Sequence, residues 1–178
     1  MKKPSVTQLL DLVAKPALIG WANRLGLQGI DIKEKRRKSL AKGSSLHEQI
    51  MKFSLGTGDF EDDFNRARFI ELMDGKTIVG VEQDIETDWF VGRYDAMICD
   101  ENGECVIVDY KSGFKGKVYM DNKLQLIAYT MAAPASMAIV ALPQFKLIPV
   151  EIINRKPYEE MLIKLAELFA LHKEIKNA

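Results

Sequence analysis

Sulfur chemistry is scarce in this sequence: two cysteines, Cys99 and Cys105, among 178 residues. Two thiols are too few for a disulfide framework or a four-thiolate metal site. No apolar run approaches the roughly 20 residues needed to span a bilayer. No membrane partner is therefore expected. The opening Met1-Lys2-Lys3-Pro4 is basic, but polar Thr7, Gln8 and Asp11 follow where a signal peptide would have its apolar core. These absences give the expectation of a soluble, cytoplasmic protein with reduced thiols. An excess of either charge is also missing, since Lys plus Arg number 25 and Asp plus Glu number 25. Net charge thus does not advertise a nucleic-acid partner, and any such partner must be met by a local basic face. Repeats, low-complexity linkers and a helicase-type phosphate loop are absent as well.

What is present suits one folded domain, because 47% of the residues are hydrophobic and the length fits one core. The first part, 1–75, is expected to be mainly helical. Ser5 or Thr7 can cap a first helix through Val13, and Leu18, Ile19, Trp21 and Leu25 recur at helical spacing after Pro16. Further helices are expected from about Ser45 to Leu55 and from Phe64 to Met73. Between them and the first helices lies a basic cluster of Lys33, Lys35, Arg36, Arg37, Lys38 and Lys42. It is either a solvated helix face or a phosphate-contacting strip.

The remainder, 76–178, reads as an α/β core. Thr77 to Ile85, Trp89 to Cys99 and Glu104 to Lys111 are strand-like, and Asn102-Gly103 marks a hairpin. A helix from Val118 to Ala133, strands near Ala138 to Leu142 and Lys146 to Ile152, and a helix from Tyr158 to Ile175 follow. The order predicts a mixed sheet of about five strands flanked by helices.

Chemistry concentrates at the ends of the second and third strands. Residues two apart on a strand share a face, so Asp109 and Lys111 project together from the apolar run Val106-Ile107-Val108. An acidic residue two before a lysine occurs at Asp31, Asp74, Asp109, Asp121 and Glu174. Only the Asp109 copy ends an apolar strand with another acidic residue, Asp95, on the strand before it. A two-residue hairpin loop would turn Asp95 to the wrong face. A three-residue loop, Glu101-Asn102-Gly103 with Gly103 left-handed, sets Asp95 opposite Asp109 and Cys99 opposite Cys105. Two carboxylates and an ammonium on one surface suit Mg²⁺ or Mn²⁺ and the hydrolysis of a phosphodiester.

The blocks Val81-Glu82, Gly92-Arg93-Tyr94-Asp95, Val108-Asp109-Tyr110-Lys111-Ser112-Gly113 and Leu124-Gln125-Leu126-Ile127-Ala128-Tyr129 occur in that order. Together they resemble the successive motifs of the PD-(D/E)XK nuclease superfamily, in its RecB-like exonuclease branch. Ser45-Leu46-His47-Glu48 resembles that branch's upstream histidine motif. Pro4-Ser5-Val6-Thr7, with Leu18-Ile19-Gly20-Trp21, looks like the start of phage-type exonucleases and of the mitochondrial genome maintenance exonuclease family. The likeness spans roughly Ser5 to Tyr129.

The resemblance implies a restriction-endonuclease-like fold and a metal-dependent DNA exonuclease. It implies that His47, Glu82, Asp95, Asp109 and the carbonyl of Tyr110 ligate Mg²⁺ or Mn²⁺, and that Lys111 orients the attacking water or stabilises the transition state. It implies that Gln125 and Tyr129, four apart on a helix, position the site and the DNA. Asp84 or Glu86 could stand in for Glu82 as the strand carboxylate. Relatives with an iron–sulfur cluster use four cysteines, so no cluster is expected here. Arg93, Lys115, Lys117, Arg36 and Arg37 are candidate phosphate contacts. Trp21 and Trp89 are candidates for base stacking or for packing. The expected partners are DNA ends, single strands and replication or recombination proteins. The rival functions are a structure-selective endonuclease on flaps, forks or junctions, and a non-catalytic module that binds DNA ends.

Overall fold

The computed structural model describes residues 3–13 and 16–177, and their side chains except at 16–18, 35–36, 38–44 and 177. Four helices come first: α1 (Val6–Leu10), α2 (Pro16–Leu27), α3 (Ile32–Ser54) and α4 (Asp63–Leu72). Their starts are written in the sequence. Ser5 and Gln8 form a reciprocal capping box on α1, Asp31 accepts from the Lys33 and Glu34 N–H groups, and Asp62 accepts from Phe64 N–H.

The expected helix from Ser45 is therefore the second half of a longer one that starts at Ile32. The basic cluster forms its first half. Ile32 and Leu40 are the only large apolar residues between Asp31 and Leu46, so no apolar stripe announces a helix there.

Five strands follow: β1 (Lys76–Glu86), β2 (Val91–Asp100), β3 (Cys105–Ser112), β4 (Ser136–Leu142) and β5 (Lys146–Pro149). They form one sheet in sequence order. Neighbours are antiparallel except β3 and β4, which run parallel across a crossover through α5 (Met120–Ala132). The chain closes with α6 (Lys156–Asn177). This is a mixed five-stranded α/β sheet with helices on both faces, as expected.

The alternation of side chains on the strands divides the core in two. Ile107 and Ile139 pack with Leu9, Leu124, Ile127 and Leu162 of α1, α5 and α6. Val108 and Val140 point the other way, to Ile50, Phe60, Phe69 and Leu72. On that second side the rings of Phe53, Phe60, Phe69 and Phe145 meet at centroid separations of 5.2 to 6.2 Å. Burial on both faces explains why β4 is an unbroken apolar run rather than an alternating one.

The hairpin loop has the three-residue form. Gly103 N–H bonds to the Asp100 carbonyl, Asp100 N–H bonds to the Glu104 carbonyl, and Gly103 takes a φ of +82°. Cys99 pairs with Cys105 across the strands, as expected. The expectation of free thiols is corrected: the two sulfurs form a disulfide. That expectation came from the presumed compartment, whereas the register sets the two Cα atoms only 4.1 Å apart. Among the described residues, no helix is long and apolar enough to cross a membrane.

Candidate active site

The site lies where β2 and β3 part company. Their ladder ends at the pair Ala96 and Val108, and the same register carried one step further sets Asp95 beside Asp109. The next inward N–H on β3 belongs to Tyr110. It bonds to the Asp95 carboxylate, Oδ2, at 2.7 Å, where a regular ladder would use a β2 carbonyl. The strand also changes face at this point. Tyr94 belongs to the core beneath α1 and α5, and Ala96, two residues on, belongs to the opposite core.

A third carboxylate joins from β1. Pairs Val81 with Ala96 and Gln83 with Tyr94 bracket Glu82 against Asp95, so Glu82, Asp95 and Asp109 form a row across three strands. Glu82 has a φ of +47°, left-handed for a residue with a Cβ. Such a backbone costs on the order of 1–3 kcal/mol and persists only where its surroundings impose it.

Helix α3 brings His47 over the row. Its Nε2 lies 3.2 Å from Glu82 Oε1 and 3.6 Å from Asp95 Oδ2. The imidazole meets the Tyr110 ring edge-on at 5.4 Å. Ligand atoms of His47, Glu82 and Asp95 all fall within 4.8 Å of one another.

Asp109, only 2% exposed, is gripped from its own strand. Lys111 Nζ lies 3.0 Å from Oδ1 and 2.8 Å from Oδ2. The same ammonium donates to Gln125 Oε1 at 2.9 Å, and Gln125 Nε2 donates to the Tyr129 hydroxyl at 2.8 Å. A chain of contacts thus runs from the carboxylate row onto α5.

Electrostatics make the row a candidate cation site. Burial, reinforced by the charge of Asp109, pushes the Asp95 carboxyl up to about 8. Burial also raises Asp109, against the pull of Lys111. The buried His47 Nε2 has no hydrogen-bond partner. An orphaned imidazole nitrogen facing crowded carboxylates fits a divalent cation, which would satisfy the nitrogen and offset the repulsion.

The expected residues therefore fall into groups. His47, Glu82 and Asp95 converge, and Asp109 stands next to them with its carboxylate held by Lys111. Gln125 and Tyr129 reach Lys111 as a chain. Tyr110 meets the site through its N–H and its ring. Of the alternatives to Glu82, Asp84 is bound by Arg93 at 2.7 and 3.2 Å, and Glu86 by Lys3 at 2.6 Å.

Arg93, expected to contact phosphate, is thereby held by Asp84. Lys115 and Lys117 are exposed on the loop before α5, with Lys117 Nζ 5.3 Å above the Tyr119 ring. Arg37 is exposed on α3, and the Arg36 side chain lies outside those described. Sequence reasoning passed over Asp121, whose charge acts on Asp109 from the first turn of α5. Its spacing of four and eight residues from Gln125 and Tyr129 was the available signal.

A family model for the PD-(D/E)XK nuclease superfamily matches residues 64–177, well over half of the chain. The chain belongs to the PD-(D/E)XK nuclease superfamily. Members use divalent metals, and His47, Glu82 and Asp95 form a candidate metal-holding cluster in this fold. Asp109-Tyr110-Lys111 has the form that gives this superfamily the second half of its name, with Asp95 on the strand before it. The matched region holds all five strands, α5 and α6, while His47 lies ahead of it on α3. No curated relative matches the chain. Among solved structures, the chain is similar to SSO0001 at 19% identity and a TM-score of 0.41, over 93% of this chain and 74% of that one.

Proposed function

We propose that this PD-(D/E)XK protein is a metal-dependent deoxyribonuclease of the RecB-like exonuclease branch. It would hydrolyse phosphodiester bonds from free DNA ends during replication, recombination or repair, with Mg²⁺ or Mn²⁺ as cofactor. The observation that carries this reading is the row of Glu82, Asp95 and Asp109 under His47, with Lys111 locked beside it. His47, Glu82 and Asp95, with Asp109, would hold the cation. When bound, the cation polarises the phosphate and makes water easier to deprotonate.

The chain's own part is positioning. An ammonium has three donors, and Asp109 and Gln125 account for two on Lys111. The third can reach a phosphate oxygen or the attacking water as charge develops. Gln125, anchored by Tyr129, fixes the direction of that donor.

A preference for ends is supported by the helical segment ahead of the sheet. Its basic first half of α3 would form an arch through which a single strand threads. The test is digestion of end-labelled linear DNA and covalently closed circular single strands, with Mg²⁺, Mn²⁺ or EDTA. Linear strands should be degraded in either metal and spared in EDTA. A circle cut as fast as a linear strand overturns threading and favours a structure-selective endonuclease. Normal cutting by Asp109→Ala overturns the site.

A further inference from the structure

Beyond Lys111 and Ser112 the chain leaves β3 and reaches α5 through residues 113–119. Both ends of this loop are tied to the carboxylate row. At its start, Lys111 holds Asp109. At its end, the charge of Asp121 in the first turn of α5 acts on Asp109, and Gln125 one turn later accepts from Lys111. The loop is therefore a rim of the site. It carries Lys115 and Lys117, both exposed, and no acidic residue, which suits a polyanion.

Tyr119 gives this rim something that phosphate contact alone does not use. Its side chain is exposed, at 49%, whereas Tyr94, Tyr110 and Tyr129 are buried. Met120 beside it is exposed as well. The Tyr119 backbone is pinned, because its N–H donates to Asn122 Oδ1 at 3.1 Å in the first turn of α5. The ring thus projects into solvent from a fixed helix start. Lys117 Nζ lies 5.3 Å over it, so the face of the ring is accessible and an ammonium waits beside it.

We infer that Tyr119 stacks on a base of a single strand next to the cleaved phosphate, while Lys117 moves from the ring to a neighbouring phosphate. The inference rests on the nuclease reading above. A base stacked on an aromatic ring outweighs an exposed cation–π contact, so the base takes the ring and the ammonium takes the backbone charge. Stacking of this kind is tolerant of sequence, since every base has a flat face. Trp89 is also exposed, but it stands roughly 20 Å of strand from Asp95. It lines a small cavity with Phe169 of α6 instead.

The test uses the full chain with Mn²⁺ and a single-stranded oligonucleotide carrying one abasic residue at successive positions. The wild type should show a KM raised about tenfold when the abasic residue falls at one position beside the cut, with kcat little changed. Tyr119→Ala should raise KM on the intact strand by a similar factor and erase the positional effect. Tyr119→Phe should behave as the wild type, and so should Trp89→Ala. A flat scan in the wild type overturns the stacking site whatever the variants do. A wild-type KM in Tyr119→Ala overturns it too, as does loss of the positional effect in Trp89→Ala alone. These results would leave cleavage itself intact. If the wild type cuts no DNA in Mg²⁺ or Mn²⁺, the nuclease reading fails and the stacking site falls with it.

Discussion

Lys111 is useful because two acceptors compete for it. Asp109 holds it by charge and Gln125 by a neutral carbonyl, which leaves the ammonium aimed rather than buried in one ion pair. Gln125→Ala removes the second acceptor and unties Tyr129. The expected result is a kcat about tenfold lower with Mn²⁺ affinity unchanged, since Gln125 is not among the proposed cation ligands. Steady-state kinetics and a Mn²⁺ titration check this, and an equal loss of both would make Gln125 a ligand. Glu82 offers a different contrast. Asparagine tolerates the left-handed backbone better than glutamate. Glu82→Asn should keep or raise stability by about 1 kcal/mol while weakening metal affinity at least tenfold. Thermal unfolding in EDTA, set beside the Mn²⁺ titration, separates the two effects.

At the scale of elements, the hairpin of β2 and β3 sets the geometry, and it was legible early. Asn102-Gly103 marked the turn, and the need to bring Asp95 and Asp109 together selected the three-residue loop that the structure has. The strands were legible because Val, Ile and aromatic residues cluster between turn signals. The first half of α3 was not, because it carries no apolar stripe and its helical state depends on the Asp31 cap and on continuity with the packed second half. The Arg93 and Asp84 pair was also hidden, since a cross-strand contact depends on a register that a bulge near Val79 shifts.

Gly92 permits a close approach of α1 to the sheet: a Cβ there would lie 2.9 Å from Val6 Cγ2 and 3.3 Å from Ile85. Gly92→Ala must push α1 off the sheet. Destabilisation of about 1–3 kcal/mol is expected, with the metal-dependent step retained. Denaturant unfolding checks the first part, and an unchanged midpoint would show that α1 yields without cost.

For the molecule as a whole, the site puts function in tension with stability. Folding brings Asp95 into a buried row where its carboxyl holds a proton up to about pH 8, while the unfolded chain ionises near pH 4. Between those values the native state binds the extra proton, so stability of the metal-free protein should fall as pH rises through this window. A divalent cation needs the carboxylate deprotonated, and its binding competes with that proton. The thermal midpoint should therefore rise more on adding Mn²⁺ at about pH 8.5 than at about pH 5, by mass action on the native state. Asp95→Asn keeps the shape but carries no titrating proton. It should flatten the metal-free pH profile and shrink the Mn²⁺-induced shift. Thermal unfolding in EDTA and in Mn²⁺ across this range reads both quantities. A wild-type shift in Mn²⁺ that is equal at the two ends would mean that the cation does not compete with the proton on Asp95, and the ligand set would have to be drawn without it.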